Sequence, residues 1–371
     1  KKRLDEMGIS WKDCGGPLPA KMTDDFVEAG FPRMERETGI TAVIGHGSPC
    51  ILLRADMDAL PVREDNDLEY KSCNGAGHMC GHDSHAAMLL GAAQILKDME
   101  SELKGSVKLM FQPGEETGAG ARVMVENGAL QDPPVDAAFG LHVQSTDETG
   151  KVGYAVGVNS ASLDSFILKI HGRGGHSSQP QLCTDPLMIM NQVYQAVNLL
   201  ATREADPAAM VALTCGVAKG GTAVNIIPDE AELHIGLRTL DVEAAEHLKQ
   251  RIPEVIDHYV KAWNGEYDLT IFHTPCTYSN EELCRDVVPH IGEIVGVEKV
   301  HQIPPMTGTE DFGYVTTEVP GMFVFIGAGK PGNAPLHSPK MMLDEEVLPL
   351  GAAVHANVAV TWLEEHGKEN H

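Results

Sequence analysis

Basic residues are in short supply: 28 Lys and Arg stand against 53 Asp and Glu, giving the 371-residue chain a formal charge of -25. Such a surface repels phosphates and anionic headgroups, which argues against nucleic acid as a partner and against membrane binding. Runs of about 18 apolar residues are missing, so no membrane span is predicted. Also missing are single-sign charge blocks and low-complexity tracts, which excludes a disordered interaction tail. No repeat at a fixed period occurs, which excludes a solenoid. The opening Lys1-Lys2-Arg3-Leu4 lacks the apolar core of a signal peptide. The eight cysteines are scattered through a large chain, so reduced thiols in a cytoplasm are expected rather than a disulfide framework.

What is present is enough apolar material, 43%, for packed cores, and a length past the point where one core stops growing. Two domains are therefore expected. To about residue 158 the chain alternates short apolar runs with helical patterns. Ile51 to Ala55, Val107 to Gln112 and Ala137 to Val143 predict buried strands, and Ala86, Leu89, Leu90, Ala93 and Leu96 fall at helical spacing between the first two. Strand, helix, strand implies a mostly parallel sheet flanked by helices, an α/β catalytic domain.

Residues 159–275 read differently. Ser165 to Ile170 alternates as a half-buried strand, and Asp185-Pro186 supplies a helix cap followed by proline at the first helical position. A helix follows with Leu187, Met190, Tyr194, Val197 and Leu200 expected on one face. Further strands are predicted at Met210 to Val217, Glu230 to Leu240 and Leu269 to Phe272, with a helix from about Asp241. The expectation is an inserted α+β unit, a four-stranded antiparallel sheet with two helices. It would interrupt a discontinuous domain made of 1–158 and 276–371, which ends in an apolar helix near Leu350 to Leu363.

The densest chemistry lies in Gly77-His78-Met79-Cys80-Gly81-His82-Asp83-Ser84-His85. Side chains two apart in an extended segment point the same way, so Cys80 and His82 can share a metal. Gln112-Pro113-Gly114-Glu115-Glu116 follows a predicted strand, and adjacent carboxylates there need a cation or a raised pKa; one ligand and one general base is the economical reading. His142 closes the apolar run Phe139 to Val143. Asp58, after Ile51 to Leu53, could orient a ligand histidine. His337 sits in the proline-pinned loop Asn333 to Pro339. In a parallel sheet ligands gather beyond the carboxyl ends of the strands, where Asp58, Glu115, Glu116 and His142 are all expected. Cys80, His82, Glu116, His142 and His337 exceed what one tetrahedral ion requires, so two divalent metals are implied.

Together the segments Asp56-Met57-Asp58-Ala59-Leu60-Pro61, His78-x-Cys80-Gly81-His82-Asp83-x-His85 and Gln112-Pro113-x-Glu115-Glu116 resemble the M20 metallopeptidase superfamily, in its aminoacylase, hippurate hydrolase and auxin-conjugate hydrolase branch. The resemblance implies a metal-dependent amidohydrolase acting on small N-acyl amino acids, with an inserted lid that often forms a homodimer. It implies Cys80 as the bridge between the metals, His82, Glu116, His142 and His337 as the other ligands, and Glu115 as general base. In the lid, Gly172-Arg173-Gly174-Gly175-His176 resembles the loop whose histidine steadies the scissile carbonyl, commonly in the other subunit's site. Asn225 and Arg238 resemble the contacts to the substrate carboxylate. His85 and Glu310 are expected to support the metal shell. A thiolate suits zinc, while carboxylate and imidazole also accept manganese, cobalt or nickel.

The chain departs from the family at its start, where Cys14-Gly15-Gly16-Pro17-Leu18-Pro19 stands and no His-x-x-Pro-Glu pattern occurs. Pro180-Gln181 replaces a common Pro-His, and Thr307-Gly308-Thr309-Glu310-Asp311-Phe312 replaces Gly-Ser-Glu-Asp-Phe. Two rival readings are a dipeptidase or carboxypeptidase on the same scaffold and a non-catalytic metal-binding relative.

Overall fold

The computed structural model describes residues 1–18, 23–24, 27, 33 and 35–367. Pro19, within the atypical N-terminal segment, lies outside them.

Continuous apolar runs dictate the central sheet. Cys50–Asp56 and Ser106–Gln112 are buried at every position, as strands covered on both faces must be. The eight-stranded sheet runs in the order Trp11–Asp13, Ile40–Gly45, Ser106–Gln112, Cys50–Asp56, Ala137–Glu148, Gly321–Gly329, Val152–Tyr154 and Val300–Gln302. Its four central strands are mutually parallel, and antiparallel pairings occur toward both edges. Helices His82–Asp98, Glu281–Val295 and Val347–His366 cover one face, and the short helices Gly120–Glu126 and Gly313–Glu318 the other. The last long helix could cross a membrane by length and composition alone. It is instead packed into this core through Val347, Val354, Val358 and Leu363.

A second, four-stranded antiparallel sheet, ordered Val211–Gly220, Glu230–Thr239, Ser162–His171 and Glu266–Thr274, carries helices Pro186–Arg203 and Val242–Ala262 on one face. Asp185 Oδ1 accepts the Leu187 and Met188 amides at 2.9 and 3.3 Å, and Asp241 Oδ1 accepts that of Ala244 at 2.9 Å, so both helices start at a capping aspartate. Phe166, Leu168, Ile170, Leu233, Ile235 and Leu237 point toward the helices. Alternation sends Leu163, Ser165, His234, Gly236 and Arg238 to the opposite face. Two short strands, Gly157–Ser160 and Thr277–Ser279, pair where the chain passes between the two sheets.

Two expectations need correction. The first long helix of the insert buries Ile189, Val193, Val197 and Leu200, while Tyr194 is 41% exposed. Apolar residues sit on more than one face of that helix, so spacing did not choose the buried one; contact with the sheet did. His142 does not close its strand, because backbone pairing continues to Glu148; only the run of buried side chains ends, at Val143.

Candidate metal and catalytic site

The carboxyl ends of the parallel strands meet in a cavity of about 1070 Å³ lying between the large sheet and the helix-free face of the small one. Cys80, Glu115, Glu116, His142 and His337 line one side, and His234, Gly236 and Arg238 the other.

Backbone constraints place the donors. Gly81 caps the helix beginning at His82 with φ +83°, and an added Cβ would lie 2.5 Å from Val143 Cγ2. Only glycine turns there, which puts Cys80 and His82 on either side of one tight corner. Gly114, φ +64°, likewise opens the turn carrying Glu115 and Glu116; a Cβ would meet Glu37 Oε1 at 2.9 Å. His337 itself adopts φ +66°, held by its amide donating to Met79 O at 2.7 Å.

Hydrogen bonds then fix which ring nitrogen each histidine presents. His82 Nδ1 donates to Asp58 Oδ1 at 3.1 Å, and Asp58 Oδ2 accepts the Glu116 amide at 3.0 Å. Asp58 therefore orients both a histidine and the acidic turn. His142 Nδ1 donates to Val143 O at 2.7 Å, leaving Nε2 toward Cys80 Sγ at 3.5 Å. His337 Nε2 stands 3.3 Å from the same sulfur and 3.6 Å from Glu116 Oε1. His85 clusters with Asp56, His82 and His142, but both its ring nitrogens are occupied: Nδ1 donates to Asp56 Oδ1 at 2.5 Å and Nε2 accepts the Val143 amide at 2.9 Å.

The donors fit divalent cations. Zinc bonds of about 2.3 Å to sulfur and 2.0–2.1 Å to nitrogen at a tetrahedral angle separate two ligand atoms by about 3.5 Å, matching the sulfur's distance to both histidines. His82 Nε2 and Glu116 Oε1 are buried without a hydrogen-bond partner, each an atom a cation would satisfy. Cys80, Glu116 and His337 form one cluster of converging donors, and His82, Glu115 and Glu116 another. Cys80 Sγ lies between His142 and His337, within reach of both rings.

Electrostatics point the same way. Asp56, Glu310 and Asp311 surround one arginine, Arg54, with Glu115 close enough to feel its charge, while Asp58 pairs with His82 and Glu116 with the Cys80 cluster. Burial, then Glu310, Asp311 and Asp56, push the Glu115 carboxyl well above the usual range, with Arg54 opposing. Burial likewise raises Glu116, and burial with Glu116 and Glu115 drives the Cys80 thiol far up. Burial works against a charged His82, yet Asp56 and Asp58 outweigh it and lift the ring to about 9. This field favours added positive charge at His82 Nε2, proton or metal.

Sequence reasoning missed four members of the site: Arg54, Asp56, Asp311 and Glu37. Glu37 is buried, with Oε1 unpartnered, and burial followed by Asp58 raises it to about 7. A signal for two of them existed, since Arg54 and Asp56 are charges in a strand that had to be covered on both faces. Glu310, expected as support, is buried against Arg54.

The lid residues divide. Arg238 faces the cavity, its Nη1 donating to Thr309 Oγ1 at 2.5 Å. His176 and Asn225 do not reach the cavity within one chain. Both are exposed at a two-stranded ribbon, Gly175–His176 with Ile226–Ile227, where His176 Nδ1 accepts the Ser178 amide at 3.1 Å.

The model for peptidase family M20/M25/M40 matches residues 52–361. IAA-amino acid hydrolase ILR1-like 4 of Arabidopsis thaliana is 38% identical over 336 residues, 88% of this chain and 76% of that protein. N-acetyl-L-cysteine deacetylase of Bacillus subtilis is 35% identical over 315 residues, 84% and 74% of the two chains. A dinuclear metal-binding peptidase of the M20 family from Bacillus subtilis superposes with a TM-score of 0.73 at 28% identity, covering 98% of this chain and 90% of its own.

Proposed function

The chain belongs to peptidase family M20/M25/M40 and is a metal-dependent amidohydrolase, and from that premise we propose that it releases an amino acid from a small N-acyl amino acid conjugate. One observation carries the reading: a set of converging metal donors with an adjacent carboxylate, Glu115, faces a guanidinium, Arg238, across one cavity.

Cys80 would bridge two divalent cations, zinc or manganese by donor type and with cobalt or nickel also accepted, and His82, Glu116, His142 and His337 would complete the set. When bound, such ions would supply Lewis acidity to the amide carbonyl and make a water a better nucleophile near neutral pH. Glu115 does the proton work. Its carboxylate, beside the donors that would hold the ions, takes the proton of the attacking water and passes it to the leaving nitrogen. Arg238 receives the substrate carboxylate, for which its planar fork is suited, and the Thr309 hydroxyl holds that fork in place beforehand. Met306, Phe325 and Leu336 give the acyl group an apolar wall.

His176 and Asn225 enter from a second copy. The lid presents an unpaired edge strand, Val211–Gly220, and exposed Leu182, Leu199, Val224 and Ile226, and pairing through this lid would bring the partner subunit's copy of the ribbon to the cleft. His176 would there donate to the oxyanion, with Asn225 joining Arg238 on the carboxylate. The eight unpaired thiols favour a reducing compartment, the cytoplasm.

The test is amino acid release from N-acetyl and N-benzoyl amino acids beside free dipeptides, using metal-loaded protein. Release from the acylated set supports the reading. Release confined to dipeptides, which alone carry a free amine, would make the chain a dipeptidase and sink it.

A further inference from the structure

Arg54 takes no part in the reaction derived above, yet every N–H of its guanidinium is engaged. Fully buried in the strand Cys50–Asp56, it donates to Gln112 Oε1 at 2.8 Å, Asp56 Oδ2 at 2.8 Å, the two Glu310 oxygens at 2.7 and 3.2 Å and Asp311 Oδ1 at 3.1 Å. Its carboxylates border the metal donors. Asp56 Oδ2 lies 3.7 Å from His82 Nε2, and Glu115, Glu310 and Asp311 offer oxygens all within 4.8 Å of one another. Without an internal cation this acidic cage would compete for divalent ions and would draw in Glu115, the carboxylate that has to remain free for water. Stability alone is a poor reason to keep such a cluster, since buried ion pairs are often replaceable by apolar side chains of similar volume without loss.

We infer that Arg54 is a positioning residue acting as a tethered cation: it fills the cage of Asp56, Glu310 and Asp311, confines exchangeable ions to the Cys80 side and leaves Glu115 unligated. Nearby, Asp58 is tied to His82 and the Glu116 amide, which leaves Glu115 and Glu116 available, one for the water and one for the metals. The inference rests on the dinuclear reading above.

The experiment is a Mn²⁺ titration of metal-stripped full-length protein, counting bound ions by equilibrium dialysis, for the unmodified chain, Arg54→Lys and Arg54→Met. Two ions per chain are expected for the unmodified protein and for Arg54→Lys, which retains the charge. Arg54→Met should take up a further ion and lose turnover by about 10- to 100-fold, the usual range for residues that orient metal ligands. If Arg54→Met does not fold, Arg54→Met/Asp311→Asn, with one acid fewer, is titrated in its place, and the same additional ion is expected. Two ions in a folded charge-free variant would overturn the role of Arg54 while leaving the dinuclear site standing. Failure of both variants to fold at any Mn²⁺ concentration would also overturn it, making Arg54 an ion-pair anchor of the fold. Fewer than two ions in the unmodified chain would overturn the dinuclear reading and this inference together.

Discussion

The floor of the cleft and the tip of the inserted lobe are built on opposite principles. On the floor the donors are set before any ligand arrives: His82 by Asp58, His142 by a backbone carbonyl and the backbone of His337 by Met79, while Arg54 holds Asp56, Glu310 and Asp311 beside them. At the tip, His176 and Asn225 are exposed at a short two-stranded ribbon and do not line the cavity of their own chain. Preorganised electrostatics operate without reorganisation at the moment of reaction, whereas an exposed loop becomes useful when something brings it to the substrate. On the proposed function, the floor decides the chemistry and the tip decides when the site is complete.

The sharpest way to break the comparison is on the floor. Glu115→Gln removes the proton acceptor and preserves shape, so turnover should fall by about 10²- to 10⁴-fold with metal content unchanged, as read by steady-state kinetics beside metal analysis. Unaltered turnover would dismiss Glu115 as the base. At the tip, His176→Ala should lower kcat by about 10²- to 10³-fold. Mixing Glu115→Gln and His176→Ala chains should then recover activity that neither has alone, because one site of the mixed pair receives an intact Glu115 and the partner's intact histidine. No recovery after verified exchange would place His176 in its own chain's site or outside the reaction.

Smaller effects sharpen the picture. Arg238→Ala should raise KM roughly 10- to 100-fold, equivalent to about 1.5–3 kcal/mol for a hydrogen-bonded charge, with a lesser change in kcat. The smallest effect belongs to the core behind the floor. His355 is fully buried with neither ring nitrogen hydrogen-bonded, packs edge-on against Phe139, and burial followed by His85 lowers its pKa from 6.5 to about 3. The unfolded chain binds this proton first as pH falls. Stability from the neutral ring is therefore complete above 6.5 and is lost progressively toward pH 3, by about 1.4 kcal/mol per unit at most. His355→Leu should flatten the acid limb of a denaturation series over that window; an unchanged limb would assign acid sensitivity elsewhere.

Much of the floor was legible in the chain because its donors come in short local motifs at strand ends, where a parallel sheet converges. The lid's sheet was legible through alternation, as Leu233, Ile235 and Leu237 against His234 and Arg238 illustrate. Other features depended on tertiary contact. Arg54 was read as part of an apolar run because its partners Glu310 and Asp311 lie far along the chain. The buried face of Pro186–Arg203 was misassigned because two apolar stripes compete on one helix. The separation of His176 and Asn225 from the cavity followed from a ribbon pairing that no local pattern announces.

The central claim is that two divalent cations held on the floor make this chain an amidohydrolase. Its most direct test is to strip the protein with a chelator and refill it stepwise with zinc or manganese, following ion content and N-acyl amino acid hydrolysis together. The account predicts no hydrolysis in stripped protein and activity that returns as binding approaches two ions per chain; full hydrolysis by protein shown to hold no metal would contradict it.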